Sequence, residues 1–328
     1  MKILVLGGAG MVGQKLAQSI ANGGLGDISI DELILHDIVE ARSIKSDFKT
    51  RSLVGDIANN GEAIKLAELK ADMIFHLAAI VSGEAETNFE KGWNTNARGS
   101  WQFLEALKQV HEATEGQYRP RLVFTSSIAV FGGPYPDKIG DEFLSAPQSS
   151  YGAQKAITEL LVSDYSRKGF IDGISIRLPT VVVRPGKANL AASSFFSGII
   201  REPLNGKEAL LPVGTDVRHW HVSPRTAIGF LTHAANLDTS LLQGRLAINM
   251  PGISCTVAEQ IEALRNIAGE DAVRLIKREP DDLVMRLVSG WPRDFDPQRA
   301  LAMGFAADKS FEDIIRIYIE DDLDRSGQ

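Results

Sequence analysis

Tyr151 and Lys155 stand four residues apart in Tyr151-Gly152-Ala153-Gln154-Lys155. On a helix this spacing puts both side chains on one face, a turn apart. An ammonium beside a phenol favours the phenolate and lowers the tyrosine pKa from its usual value of ~10. Such a phenol can accept a proton near neutral pH, which is what proton abstraction from a hydroxyl requires. Most Tyr-x-x-x-Lys pairs are surface decoration, so this one gains meaning from its company. Upstream, Leu122-Val123-Phe124 reads as a strand ending in Thr125-Ser126-Ser127. Hydroxyls at the C-terminal end of a strand in a doubly wound sheet face the ligand crevice, which makes Ser127 a candidate hydrogen-bonding partner. No G-x-S-x-G surrounds Ser127, so it does not read as an acyl-transfer nucleophile.

A proton-accepting phenol needs something to take the electrons, and the N-terminus offers a place for it. Residues 2–6 are a short apolar run, as expected for a buried parallel strand. Gly7, Gly10 and Gly13 follow at spacing three, Gly8, Gly10 and Gly13 also satisfy G-x-G-x-x-G, and Gln14 to Ala21 read as a helix. Glycines between strand and helix let the backbone turn tightly and approach a pyrophosphate, whose charge meets the helix N-terminus. A second strand, Leu33-Ile34-Leu35-His36, ends at Asp37. That acid lies roughly 20 residues past the glycines, where a carboxylate binds the adenosine ribose hydroxyls and repels a 2′-phosphate. NAD is therefore expected over NADP. Leu53-Val54-Gly55 reads as a short third strand, followed by Asp56-Ile57, where Asp56 either caps the next helix or contacts the adenine. Residues 73–79, Met73-Ile74-Phe75-His76-Leu77-Ala78-Ala79, read as a fourth strand running into small residues that leave room for a cofactor.

The elements that must position these groups follow from patterning. Residues 88–113 read as one long helical segment carrying Asn96, for which a structural role weighs as much as a cofactor contact. The Tyr151 helix is expected to face the sheet with Ala156, Leu160 and Leu161. Residues 173–178 form a further strand closed by Pro179, and Leu246 to Asn249 another. Between 180 and 221 the pattern loosens, with a short helix near 193–202 and a gathering of basic residues, Arg184, Lys187, Arg201 and Arg218. Ser223-Pro224 fits a helix start running to about His233, with serine as N-cap and proline at the first position. Amphipathic helices are expected over 256–268 and 310–319, and another opening at Asp296-Pro297.

Composition narrows the class. With 328 residues the chain has length for about two domains. A hydrophobic content of 44% and a charged content of 23% suit a soluble globular protein. The net charge of −7 argues against a general nucleic-acid or membrane binder. The single cysteine, Cys255, excludes a disulfide framework and a cysteine-based zinc site within one chain. The N-terminal apolar run breaks at once into glycines, unlike a signal peptide, and no stretch reaches the length of a membrane span. A cytoplasmic location is expected. His219 and His221 would share a face of a strand, but no third ligand completes a set, so no metal is expected.

With glycines, acid, serine, tyrosine and lysine in this order, nearly the whole chain resembles the extended short-chain dehydrogenase/reductase family. The pieces that carry the likeness are GGAGMVG (7–13), HLAA (76–79), TSSIAVFG (125–132), YGAQK (151–155) and RLPTVVVRPG (177–186). The resemblance implies an α/β fold, a Rossmann-type doubly wound parallel sheet with a smaller C-terminal substrate-binding domain. The NAD-binding domain is placed at 1–178 and 222–250, the substrate-binding domain at 179–221 and 251–328. It implies Ser127, Tyr151 and Lys155 as the catalytic set. It implies cofactor contacts at Gly7, Gly10, Met11, Val12, Gly13, Asp37, Asp56, Ile57, Leu77, Ala78, Ala79, Asn96, Tyr151, Lys155 and Pro179. A homodimer through the helices near 88–113 and 151–167 is the family expectation. Phe131 replaces a tyrosine common in nucleotide-sugar epimerases, and Ser223-Pro224 replaces paired acids usual after His-Val, which weakens a nucleotide-sugar reading. A narrower likeness, over 76–86, 150–173, 177–195 and 197–204, is to a subgroup that oxidises the C2 hydroxyl of a small sugar acid with NAD. For such an anionic substrate the candidates are Ser82, Ser127, Arg184, Lys187, Ser193, Ser194 and Arg218. A nucleotide-sugar epimerase with the same triad and a non-catalytic dinucleotide sensor are the alternatives.

Overall fold

The computed structural model describes residues 1–59, 61–186 and 192–323. The chain divides into two compact units, one of Met1–Val130, Ser149–Arg177 and Ile228–Ile248, the other of Phe131–Gln148, Leu178–Ala227 and the chain from Asn249 onward.

A seven-stranded sheet runs through the first unit in the order Ala247–Asn249, Asp172–Leu178, Arg121–Ser127, Met73–His76, Lys2–Leu6, Glu32–Asp37, Lys49–Val54. The pairings from Arg121–Ser127 across to Lys49–Val54 are parallel. Ile3, Leu4, Val5 and Leu6 are fully buried, because helices cover both faces of such a sheet. Successive strands step one way from Lys2–Leu6 and the other way from Met73–His76. The strand order therefore reverses between these two, and the crevice beyond Leu6 and His76 is the switch point where such sheets bind ligands. The doubly wound Rossmann-type sheet expected from the sequence is realised.

Several boundaries differ from expectation. The third strand is Lys49–Val54, not 53–55. It is an edge strand whose polar residues escape an apolar template, and the carboxylate of Glu32 on the neighbouring strand pairs with both Lys49 and Arg51 at 2.9 Å. The fourth strand stops at His76, so Leu77–Ala79 are loop. The long segment near 88–113 is three pieces: Phe89–Gly92, a π-helical stretch Trp93–Gly99, and the α-helix Ser100–Ala113.

The Tyr151 helix spans Ser150–Arg167, capped by Ser149, whose hydroxyl accepts the Gly152 N–H at 3.1 Å. Its expected apolar face is realised only in part. Leu161 packs half-buried against the core beside Val162, but Leu160 is 72% exposed, Ala156 is half-buried, and the other buried side chains are Gln154, Lys155, Thr158 and Glu159. Polar groups turn inward here because they bond to one another and to the strand ends beneath, as described below.

In the second unit the helices Ser194–Leu204, Val257–Val273 and Phe311–Asp321 pack around Phe196, Ile199, Ile200, Leu264, Ile314 and Ile315. The helix Pro224–Asn236 begins as read from sequence, with the Ser223 hydroxyl accepting the Thr226 N–H at 3.0 Å. Asp296-Pro297 leads into Gln298–Ala302. His219 and His221 lie on the strand Arg218–Val222 and are buried. His219 bonds Thr180 Oγ1 at 2.7 Å and the Pro292 carbonyl at 2.9 Å, and His221 meets the Gln260 amide at 3.0 Å. Burial pushes His219 down to about 4 and His221 well below the ordinary imidazole range. They are neutral core residues.

Candidate active site

The glycine run forms a cradle against the end of the fourth strand. Gly7 has φ of +85°, and a Cβ there would lie 2.7 Å from the Ala78 nitrogen. Only glycine satisfies both the conformation and the approach. A Cβ on Gly13 would strike the Gly7 carbonyl, so the helix Met11–Ala21 sits as close to the turn as backbone allows. That helix starts at Gly10 without a side-chain cap and with no acid in its first turn. The amides of Met11, Val12 and Gly13 open the helix there, a setting that suits an anion. Asp37 closes the far side. Its Oδ2 accepts the Ala9 N–H at 2.9 Å and its Oδ1 the Ile38 N–H at 2.7 Å. These bonds fix the carboxylate beside the glycine turn and leave oxygen lone pairs for two ribose hydroxyls. Asp56 accepts the Ala58 N–H at 2.9 Å and so shapes the turn at Ile57, while the next helix begins at Gly61. Cradle, uncapped helix and strand-end acid together fit a dinucleotide.

Asn96 is 2% exposed and sits in the π-helical stretch. Its Oδ1 accepts the Ile80 N–H at 2.7 Å, and its Nδ2 donates to the Ile80 carbonyl at 3.0 Å and to Gln154 Oε1 at 2.7 Å. The side-chain amide is thus committed to the loop after Leu77–Ala79 and to the Tyr151 helix. It fixes the position of that loop.

Lys155 is 2% exposed, and its Nζ donates to the Thr125 carbonyl at 2.8 Å. It lies 5.6 Å from the centre of the Tyr151 ring and 4.7 Å from that of Phe124. Burial pulls its pKa down to about 7, opposed by the carboxylate of Glu159. Desolvation disfavours the ammonium, and a phenolate beside it would favour it. Ser127 is half-buried at the end of its strand, its Oγ accepting the Ala129 N–H at 3.1 Å. Ser127, Tyr151 and Lys155 therefore all belong to the first unit, with the lysine bonded to the same strand end, Thr125–Ser127, that carries the serine. A phenol coupled to a buried amine, with a hydroxyl donor on that strand end, is equipped to move a proton at a substrate oxygen.

Beneath this set lies a group that the sequence did not announce. Glu159, 4% exposed, accepts the Ser126 hydroxyl at 2.5 Å and a bidentate Arg177 at 2.9 and 2.7 Å. The only signal was a glutamate four residues after Lys155, on what spacing makes the same face.

The remaining candidates are in the second unit, apart from Ser82, which opens the helix Ser82–Thr87 of the first. Pro179 is buried just past the strand Asp172–Leu178. Ser193 and Ser194 open the helix Ser194–Leu204, and Arg184 donates to Ser193 Oγ at 3.0 Å. Arg218 is drawn to Glu259 at 3.1 Å and to the Ser254 carbonyl at 3.1 Å. Arg201 is buried, bonding Glu202 and the Arg184 carbonyl. Lys187 lies outside the described residues. Among the described residues no helix is long and apolar enough to cross a membrane, and no group of three metal-ligating side chains occurs.

Comparison with known proteins agrees with this geometry. Residues 3–237 match the model of the NAD dependent epimerase/dehydratase family. A D-erythronate dehydrogenase of Cupriavidus necator is 42% identical over 326 residues, covering 98% of each chain. A D-erythronate dehydrogenase of Haemophilus influenzae is 40% identical over 323 residues, covering 98% of this chain and all of the relative. The crystal structure of a nucleoside-diphosphate-sugar epimerase from Agrobacterium tumefaciens superposes with a TM-score of 0.94 at 52% identity, covering 98% of this chain and 94% of that one.

Proposed function

Since the chain belongs to the NAD-dependent epimerase/dehydratase family, we propose that it oxidises the C2 hydroxyl of D-erythronate to give 2-oxo-tetronate. The substrate class is supported by one observation, the near full-length similarity to two D-erythronate dehydrogenases. When bound, NAD supplies the acceptor for the hydrogen and electron pair that leave C2. Gly7, Gly10, Met11, Val12 and Gly13 would hold its pyrophosphate, and Asp37 its adenosine ribose. Asp56 and Ile57 would take the adenine, Leu77, Ala78 and Ala79 are the further candidates of the first unit, and Pro179 is a candidate contact of the second.

Tyr151 takes the proton of the C2 hydroxyl. Lys155 supports the phenolate with its ammonium, and Ser127 donates a hydrogen bond to the substrate oxygen as it becomes a carbonyl. Arg184, with Ser193 and Ser194, is the favoured partner of the substrate carboxylate, because a guanidinium can meet both oxygens at once. Arg218, held by Glu259, is a further candidate. Ser82 is a further hydroxyl partner for the acid. The exposed Phe89, Trp101 and Leu160 form apolar surface on the helical elements near 88–113 and 151–167, which supports a homodimer through these helices. A cytoplasmic location is part of the same reading.

The test is NADH formation from D-erythronate and NAD. Wild-type protein should turn over, and Tyr151→Phe should lose activity by at least about 100-fold while still binding NADH. Undiminished turnover by the variant would remove Tyr151 from the mechanism. Conversion of a UDP-sugar with no net NADH, and none of D-erythronate, would replace the dehydrogenase by an epimerase.

A further inference from the structure

Glu159 is buried, charged and bonded on every side by groups that border the reactive set, yet it touches neither Tyr151 nor Ser127 in any bond described above. It sits one turn beyond Lys155 on the Ser150–Arg167 helix. One oxygen accepts the Ser126 hydroxyl at 2.5 Å, and Arg177, from the strand Asp172–Leu178, grips both oxygens. Ser126 is the residue between Thr125, whose carbonyl receives the Lys155 ammonium, and Ser127. Glu159 thus ties three elements together at the level of the site: the helix that carries Tyr151 and Lys155, the strand end that carries Ser127, and the next strand of the sheet.

The charged surroundings of Lys155 are few. From its own helix come the Tyr151 phenol and the Glu159 carboxylate. From the strand Met73–His76 comes His76, which burial and the lysine hold down to about 3, so it stays neutral through the working range. Glu159 in turn pairs with Arg177, from the strand Asp172–Leu178. Glu159 is therefore the carboxylate that favours the ammonium, and its pairing with Arg177 limits how much.

We propose that Glu159 is a positioning residue for the reaction: through Ser126 and Arg177 it holds the Thr125–Ser127 strand end against the Tyr151 helix and maintains the cation that supports the Tyr151 phenolate. This rests on the function proposed above, but its test does not require the substrate. The chain has five tyrosines. Burial pushes Tyr118, Tyr135, Tyr165 and Tyr318 upward, Tyr135 and Tyr165 to about 12. Phenolate absorbance that grows below the ordinary tyrosine range of ~10 then reports Tyr151 alone, and the difference from Tyr151→Phe confirms the assignment.

In Glu159→Gln the amide oxygen can still accept the Ser126 hydroxyl, but the charge is gone. The expected result is a phenolate titration displaced to higher pH by about one unit, with the rising limb of the pH–kcat profile moving equally and kcat at pH 7 falling about tenfold. KM should change less than kcat. Because the single change removes the carboxylate that Arg177 grips, the double variant Glu159→Gln/Arg177→Met serves as the folding control, removing both members of the pair. It should fold, and should still show the displaced titration. A phenolate titration identical to wild type in a folded variant would overturn the proposal and leave Glu159 a structural residue. Absence of D-erythronate turnover by wild-type protein would instead overturn the proposed substrate, leaving the titration result standing.

Discussion

Replacing Lys155 by methionine is expected to make the NAD-free protein relatively more stable at neutral pH, although the same change removes a proposed catalytic group. The fold buries an ammonium and lowers its pKa from 10.5 to about 7. The sign follows from proton counting. Between pH 7 and 10.5 the unfolded chain holds a proton on this lysine that the folded protein has released, so wild-type stability rises with pH across that window. At pH 7 the burden of the charge is about 4 kcal/mol; at pH 9.5 it is about 1.5 kcal/mol. Wild type should therefore gain about 2–3 kcal/mol on Lys155→Met between these pH values. The variant also loses the bond to the Thr125 carbonyl, about 1–3 kcal/mol, but that loss is the same at both pH values and cancels from the comparison. Both proteins should be made in a Tyr151→Phe background, so that no phenolate forms as pH rises. The assay is urea unfolding at half-unit steps from pH 7 to 9.5. A stability difference constant to within about 1 kcal/mol over that range would refute the reasoning, because the ammonium would then be no worse off folded than unfolded.

Asp37→Ala should weaken NAD binding by roughly 10- to 100-fold, since it removes both the proposed ribose acceptor and the bond that steadies Ala9. NADP binding should suffer less, so the ratio of the two dissociation constants, measured by nucleotide fluorescence, should narrow. His219 is held neutral in the fold, at about 4 against an ordinary 6.5, so its contribution is whole above pH 6.5 and is lost as pH falls toward 4. From pH 6.5 to 5 that loss is about 2 kcal/mol. His219→Gln should flatten the urea midpoint against pH over this interval, and an unchanged slope would show that the imidazole does not titrate there.

What could be read from sequence divides by the kind of signal involved. The glycine turn, Asp37 and the Tyr151–Lys155 pair were legible because each depends on short spacing and local backbone. The central strands were legible because a parallel sheet buries both faces and leaves apolar runs such as Ile3 to Leu6. Lys49–Val54 was not, because an edge strand with Thr50 and Arg51 follows no apolar template, and its partner Glu32 is distant in sequence. The π-helical stretch at Trp93–Gly99 leaves no periodic trace over seven residues. The orientation of the Tyr151 helix was misread for a more instructive reason. Amphipathic patterning assumes that burial selects apolar residues. Here it selects Gln154, Lys155, Thr158 and Glu159, and Leu160 is left outside. The site supplies its own polar partners, Ser126, Arg177 and Asn96, and these are invisible to a rule that weighs one helix at a time.

The side chain of Asn96 carries a consequence of another kind. Its carboxamide meets both the N–H and the C=O of Ile80, the same two-bond handshake that a neighbouring strand offers to a residue in a ladder. The fourth strand ends at His76, but at Ile80 a side chain imitates the backbone that no further strand supplies. Such mimicry demands a donor and an acceptor on one planar group. Aspartate lacks the donor, and glutamine would carry the same group one methylene too far. The path that leads on from the sheet after His76 is thereby held to ladder-like geometry by one residue, and the bond between Asn96 and Gln154 ties that path to the Tyr151 helix.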